Sequence, residues 1–245
     1  MAHPSEALWL SVSPCLKRFD QRLLVQLARK SEIRCWDYAQ TADEPCCLAI
    51  AVTVLHDYLK QRDRPVHLLG HGISGLVGLH YAQQYPQRVR SLTLISVGAN
   101  PAVNWHAHYY ALRQLLPCRR EMILGQMARL LFGVQSMAAM TALIQLLQQD
   151  LDSQLTLHSL VNHTVFTCGG IEPPLFVCHG AHDVVIDSNT QVQWRDWLKP
   201  HDRLWHCPEG KHFFHYDYPK RVAQVIHDYW QSLPASNNRY STLAL

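Results

Sequence analysis

VHLLGHGISGLVGLHYA, residues 66–82, is the stretch that decides the fold. It begins with a continuous apolar run, which is typical of a strand covered on both faces of a sheet. After the glycines, apolar residues recur at the spacing of a packed helix, which predicts a helix over 73–85. A glycine-rich turn therefore joins a buried strand directly to a buried helix.

The same alternation of apolar runs and helical patterns continues along most of the 245 residues. It predicts an α/β fold, in which a mostly parallel sheet of about six strands carries helices on both faces. We expect the strands at 7–12, 33–37, 65–70, 91–97, 174–179 and 203–207. The further helices are expected at 18–30, 44–61, 189–198 and 218–232.

One interval, 101–168, interrupts this alternation. It contains no strand pattern but holds helical stretches such as REMILGQMARLLFG. We interpret it as a helical lid insertion, because insertions at the carboxyl ends of strands lie over the ligand crevice in open α/β sheets. A subdomain with only a packing role is the alternative. The predicted division is a core of 1–100 and 169–235, the lid, and a loose C-terminal tail, 236–245.

Composition favours an ordinary globular protein. The formal charge is +3, which gives no reason to expect a nucleic-acid partner. No apolar run is long enough to span a membrane and the first residues do not form a signal peptide, so we expect a cytoplasmic protein. The eight cysteines form no C-x-x-C pair and the sixteen histidines no ligand spacing, so neither a metal nor a cofactor is predicted.

The turn GHGISG, residues 70–75, resembles a motif of the α/β-hydrolase family. Members of this family place a nucleophilic serine between a strand and a helix in the pattern G-x-S-x-G, often read as G-H-S-x-G-G. In this alignment Gly72 stands at the nucleophile position without a side chain, and Ser74 replaces the following glycine. The continuation YAQQYPQRVRSLTLISVGANP also resembles the family's path into its next strand.

Two later stretches resemble the loops that deliver the other members of the family's triad. PPLFVCHGAHDVVID implies that Asp183 is the acid, and CPEGKHFFHYDYPKRVAQVIHDYW implies that His212 is the histidine. Taken singly, Asp183 fits a turn cap and His212 fits a surface loop. Their joint position after the fifth and sixth strands favours an acid–histidine pair. The resemblance covers roughly residues 7–232.

The family's oxyanion site is expected in altered form. The resemblance implies two backbone donors, one after the nucleophile position and one after the first strand. The first is Ile73, but the second falls in SVSPCLKRF, where Pro14 has no N–H. We predict Ser13 as the second donor, with Cys15 as an alternative.

Ser74 is a doubtful nucleophile. A helix advances about 100° per residue, so the Ser74 side chain is expected to point about 200° away from the direction of residue 72. Glycine at position 72 holds the positive φ of such a turn without strain and removes the hydroxyl. The free space could also admit a water molecule that His212 activates.

Candidate ligand contacts lie beside this turn. Trp105 and Tyr109 belong to an aromatic-rich patch after the fourth strand, and His71 precedes the glycine. We predict that all three line a ligand pocket, with ordinary packing as the alternative.

Three functions remain open. The favoured one is a hydrolase homologue with a degenerate triad, non-catalytic or strongly impaired, that binds a small apolar molecule or a protein partner. The alternative is an active hydrolase of small esters, amides or thioesters, or a proton-transfer enzyme, that uses Asp183 and His212 with Ser74 or a water. A purely architectural subunit is the third.

Overall fold

A computed structural model describes residues 6–38, 47–100, 103–152 and 169–234. The predicted tail at 236–245 and the last part of the predicted lid, 153–168, lie outside the described residues. The start of the helix predicted at 44–61 lies outside them as well.

Six strands form one parallel sheet, which confirms the predicted α/β fold. The order in the sheet is β2-β1-β3-β4-β5-β6. The strands are β1 (Glu6–Ser11), β2 (Glu32–Asp37), β3 (Val66–His71), β4 (Val89–Ile95), β5 (Leu175–Gly180) and β6 (Arg203–Cys207). Each strand lies within two residues of its predicted position. For the inner strands β1, β3, β4 and β5 the reason is that continuous apolar runs mark buried strands clearly, whereas β2 and β6 lie at the partly exposed edges.

The described helices are numbered here in chain order. Two of the predicted helices, 18–30 and 189–198, each consist of a short α-helix and a 3-10 turn, at Lys17–Phe19 and Gln193–Asp196 respectively. The α-helices are α1 (Gln21–Leu27), α2 (Leu48–Leu59), α3 (Ile73–Gln84), α4 (Trp105–Leu115), α5 (Arg120–Phe132), α6 (Met137–Leu151), α7 (Ser188–Val192), α8 (Phe214–Asp217) and α9 (Pro219–Ser232).

The sheet has an apolar core on each face. Successive residues of a strand point to opposite faces, so Leu68 packs into the core that contains α2 and α3, while Leu69 packs into the core that contains α1 and α9. Burial on both faces is the reason why the strands read as unbroken apolar runs rather than as alternating patterns.

The turn from β3 into α3 is built from close backbone contacts. A Cβ atom on Gly70 would lie 2.6 Å from the backbone nitrogen of Gly75, so only glycine permits this approach. Gly72 has φ +53° and ψ −124° and directly precedes α3. Its N–H donates to the carbonyl oxygen of Ile95 at 3.0 Å, which ties the turn to the end of β4.

Residues 103–152, here called the helical segment, lie between β4 and β5 in the chain and contain α4, α5 and α6. The segment has its own apolar cluster, which includes Leu124 and Leu147. Phe19, from the loop after β1, and Phe213, from the loop after β6, belong to the same cluster. The helical segment therefore packs against loops that follow the carboxyl ends of strands.

Among the described helices, none is both long enough and apolar enough to cross a bilayer by itself. Helices α5 and α6 reach that length and composition only as a pair, which bends by 105° at the break between them.

His179 in β5 makes the stability of the fold depend on pH. Its ring is fully buried, and neither ring nitrogen has a hydrogen-bond partner among the described residues. Burial lowers the pKa of His179 to about 3, whereas an unfolded histidine has a pKa of about 6.5. Below that higher value the unfolded chain binds a proton that the folded chain does not, so stability falls as the pH falls.

We expect His179→Leu to flatten this dependence. We propose urea titrations at pH 7, 6 and 5. Between pH 6 and pH 5, the free energy of unfolding of wild type should fall more steeply than that of the variant, and the difference in slope should be about 1.4 kcal/mol per pH unit. His201→Leu is the control, because the His201 side chain is exposed. Equal slopes for wild type and His179→Leu would contradict the assignment.

Candidate active site

A narrow cavity lies between the carboxyl ends of the strands and the helical segment. It has a volume of about 40 Å³ for the centres of water-sized molecules, which is room for a few waters or for a ligand of a few non-hydrogen atoms. Both the core and the helical segment contribute to its wall, which includes Gly72, Ile73, Ser96, His106, Asp150 and His212.

Asp183 and His212 form a buried hydrogen-bonded pair at this cavity. The Nδ1 atom of His212 lies 2.9 Å from Oδ2 of Asp183, and the two residues are 2% and 4% exposed. The other carboxylate oxygen accepts the backbone N–H groups of Val185 at 2.9 Å and Ile186 at 3.0 Å. Three donors thus fix the carboxylate. The carboxylate in turn leaves Nε2 on the opposite side of the imidazole ring.

The environment keeps Asp183 ionised. Burial acts to raise the pKa of this carboxyl, but the charge and hydrogen bond of His212 and the two backbone N–H groups together lower it below its usual value. An ionised Asp183 holds the proton of His212 on Nδ1. The Nε2 atom, which has no hydrogen-bond partner among the described residues, can then accept or donate a proton.

The backbone of His212 is held as firmly as its ring. Its carbonyl oxygen accepts a hydrogen bond from Ser96 Oγ at 2.7 Å, and His71 Nε2 lies 3.2 Å from the same oxygen. Burial and the nearby charges of His215 and His212 lower the pKa of His71 well below its ordinary value, so a neutral ring donates here. Ser96 alone among the described non-glycine residues has a positive φ, +50°. Such backbone strain concentrates at functional sites.

A second acid–histidine pair lies behind His71. The rings of His71 and His215 are 4.6 Å apart, and His215 Nε2 lies 3.1 Å from Oδ1 of Asp20. The indole N–H of Trp9 donates to the other oxygen of Asp20 at 2.9 Å. This pair joins the loop after β1 to α8. Through His215 it contacts His71, which lines the cavity.

The helical segment contributes a third pair. His106 Nε2, from α4, lies 3.0 Å from Oδ2 of Asp150, from α6, and the two residues are 3% and 2% exposed. Both residues line the same cavity as His212. The cavity is therefore bordered by one acid–histidine pair from the core and one from the helical segment.

Ser74 uses its hydroxyl to hold the backbone. Its Oγ accepts a hydrogen bond from the N–H of Val12 at 3.1 Å, and the side chain is buried between α3 and the end of β1. At Gly72 the situation is reversed, because a Cβ built there has no atom within 4 Å. The turn thus presents open space at Gly72 and an engaged hydroxyl at Ser74.

Two backbone donors predicted for an oxyanion site border the cavity. Ile73 is the first residue of α3, where an N–H has no acceptor within its own helix. Ser13 also lines the cavity, and its carbonyl oxygen accepts the N–H groups of Leu16 and Lys17, both at 3.1 Å. That turn holds Ser13 at the cavity wall.

The structure brings most of the predicted site residues together. His71, Trp105, Ser13, Gly72, Ile73, Ser74 and His212 line the cavity, with Asp183 directly behind His212. Tyr109 is buried in the apolar cluster of the helical segment and is not among the described residues that line the cavity.

Sequence reasoning did not single out Ser96 or the pairing of His106 with Asp150. Ser96 lies near the carboxyl end of the strand predicted at 91–97, and that position was a usable signal. His106 and Asp150 are 44 residues apart, and no spacing pattern joins them.

The chain belongs to the alpha/beta hydrolase family, whose model matches residues 19–225. It is 42% identical to an uncharacterized protein of Synechocystis sp., over 97% of this chain and 95% of the relative. An uncharacterized protein of Nostoc sp. is 40% identical, over 94% of this chain and 92% of its own length. These matches confirm the family that the turn and the two later stretches indicated.

Solved structures agree on the fold. An esterase from Exiguobacterium antarcticum superposes with a TM-score of 0.73 at 15% identity, covering 95% of this chain and 94% of the esterase. A hydrolase from Pseudomonas aeruginosa PA01 gives a TM-score of 0.67 at 19% identity, covering 94% and 91%. At such low identities the likeness shows the shared fold.

Substitutions of Ser96 should separate its hydrogen bond from its backbone strain. Ser96→Ala loses the bond to the His212 carbonyl and keeps the positive φ, whereas Ser96→Gly loses the bond and relieves the strain. We expect the alanine variant to be less stable than the glycine variant by about 1 kcal/mol in urea unfolding. An alanine variant as stable as wild type would show that the hydrogen bond contributes nothing, and equal stability of the alanine and glycine variants would show that the strain contributes nothing.

Proposed function

We propose that this protein is an alpha/beta hydrolase homologue without a serine nucleophile, and that it binds a small molecule in the cavity instead of forming an acyl-enzyme. The observation that carries the proposal is the turn at Gly72. It keeps the backbone of a nucleophile turn but has no side chain, while the buried Asp183–His212 pair remains at the same cavity.

Gly72 fits the nucleophile position for three reasons. It lies between a buried strand and a helix, as the nucleophile of this family does. Its φ of +53° is the strained backbone that the family's sharp turn requires. The acid and the histidine follow in the family's chain order, on the loops after β5 and β6.

Ser74 is a poor replacement for the missing nucleophile. Its Oγ already accepts the N–H of Val12, and the bond points toward β1. A nucleophilic serine must give its proton to His212, and no hydrogen bond joins Ser74 Oγ to the His212 ring in the described part of the chain. Its hydroxyl is better explained as a structural acceptor for a buried backbone N–H group.

A second candidate function uses a water molecule. The open space at Gly72 and the cavity that reaches both Gly72 and His212 would let His212 Nε2 act as general base toward a bound water. The substrates would be small esters, amides or thioesters, with the N–H groups of Ile73 and Ser13 facing the oxyanion. Such a hydrolase would form no covalent intermediate.

Restoring the hydroxyl tests the main proposal. We expect wild type and Gly72→Ala to resist labelling by a fluorophosphonate, whereas Gly72→Ser becomes labelled at position 72, because the site already holds an oriented histidine. The double variant Gly72→Ser/His212→Ala should lose most of that labelling. Intact-mass and peptide mass spectrometry measure the outcome.

Two results would contradict this proposal. A phosphonate adduct on Ser74 of wild type would show that a nucleophile survives. Wild-type ester hydrolysis that disappears in His212→Ala without any adduct would instead establish the water-dependent hydrolase.

Ser74→Ala should act on stability rather than on chemistry. It leaves the buried N–H of Val12 without its acceptor, which costs about 1–3 kcal/mol. We expect a corresponding loss in the free energy of unfolding, measured in urea, and unchanged phosphonate labelling of the Gly72→Ser background. Loss of that labelling with unchanged stability would refute the structural role.

A further inference from the structure

The His106–Asp150 pair is costly to bury in the helical segment. Leu143, Leu147 and Leu151, which share α6 with Asp150, belong to the apolar cluster of the helical segment. Taking a carboxylate and an imidazole out of water costs several kcal/mol, and apolar residues of similar size often replace such pairs at no loss of stability. Packing of α4 against α6 alone therefore gives no reason for this pair.

Two further observations set the pair apart from a simple structural tie. Both residues line the cavity that His212 and Gly72 also border. In addition, Nδ1 of His106 is buried without a hydrogen-bond partner among the described residues. Buried polar groups are nearly always satisfied, so the unpaired Nδ1 of this cavity-lining histidine leaves a hydrogen bond to be made.

The rest of the wall indicates what kind of partner this is. Ser11, Ser13 and Ser96 contribute polar groups on the core side, whereas Leu76 and Val97 give the wall apolar stretches. The buried leucines of the helical segment, such as Leu124 and Leu147, lie in the segment's own cluster and are not among the described residues that line the cavity. The cavity thus has polar groups from the core and from the helical segment, together with apolar side chains in its wall.

We infer that His106 and Asp150 are ligand-binding residues, and that the cavity takes a small molecule with a polar group at each end. One end lies at Gly72, His212 and the N-terminus of α3, and the other lies at His106 and Asp150. The inference rests on the proposed function, since it names the ligand class of that same cavity. It assigns to the helical segment a part in recognition.

Short ω-hydroxy acids are suitable probes. A carboxylate suits the core end, where the N-terminus of α3 and a histidine favour an anion. The hydroxyl can bond either partner at the segment end. The series 3-hydroxypropionate, 4-hydroxybutyrate and 5-hydroxypentanoate is compared with propionate, butyrate and pentanoate, because the matching length is to be found by experiment. Calorimetric titration of the full chain measures each affinity.

We expect at least one hydroxy acid to bind wild type about tenfold more tightly than the unsubstituted acid of equal length, as one hydrogen bond to a charged group allows. In the variant His106→Phe/Asp150→Leu, which removes both polar partners together, that preference should disappear while the affinity for the unsubstituted acid is kept. His212→Ala should weaken both kinds of acid.

The matched control is Arg120→Gln/Asp152→Asn. It removes another ion pair of the helical segment, 2.7 Å long and partly exposed, whose residues do not line the cavity. We expect this variant to keep the preference for the hydroxy acid, so that a general loosening of the segment cannot imitate the result.

Three outcomes would overturn the inference: no hydroxy acid is preferred by wild type, neither kind of acid binds, or the preference survives in His106→Phe/Asp150→Leu. Should that variant fail to fold, a crystal structure of wild type with the best hydroxy acid decides, because the hydroxyl must lie within hydrogen-bond distance of His106 or Asp150. Failure of the proposed function shows separately, as phosphonate labelling of wild type.

Discussion

The structure depends on the close backbone approach inside the turn at residues 70–75. Gly70 lies so near Gly75 that a side chain cannot be inserted, and Gly72 turns the chain with a positive φ into α3. This approach places the first N–H groups of α3 at the carboxyl end of the central strand β3. The turn lines the cavity and contacts both the loop of His212 and the end of β4. The geometry of the turn therefore determines which atoms meet in the site.

Around the turn, burial of charged groups is balanced by pairing. In each of the three acid–histidine pairs, removal of one partner would destabilise the fold, because the other group would stay buried without its hydrogen-bond partner. The Asp183 carboxylate accepts three hydrogen bonds, and Asp20 accepts one from His215 and one from Trp9. These contacts join elements that are far apart in sequence, so the polar network contributes to the arrangement of the loops as well as to chemistry.

Sequence patterns predicted the sheet well because the four inner strands, β1, β3, β4 and β5, are buried on both faces and read as apolar runs. The edge strands β2 and β6 are partly exposed. The Asp183–His212 pair could be placed from the family resemblance, since the two motifs sit after consecutive strands. The bond from Val12 to Ser74 and the pairing of His106 with Asp150 could not be predicted, because each depends on tertiary contacts 44 or more residues apart. For Tyr109 the aromatic-rich patch suggested a position at a ligand pocket, but its ring packs inside the helical segment.

Retention of the Asp183–His212 pair does not by itself argue for catalysis. Under the proposed function, an exchange of serine for glycine at the turn would remove a hydroxyl and relieve backbone strain, so the fold would tolerate it. Losing Asp183 afterwards would leave two backbone N–H groups and a buried imidazole without their partner, which is a large cost in stability. Folding alone can therefore preserve the pair. The cavity carries the stronger functional argument, because stability alone does not explain why His106 and Asp150 border it in place of apolar residues of similar size.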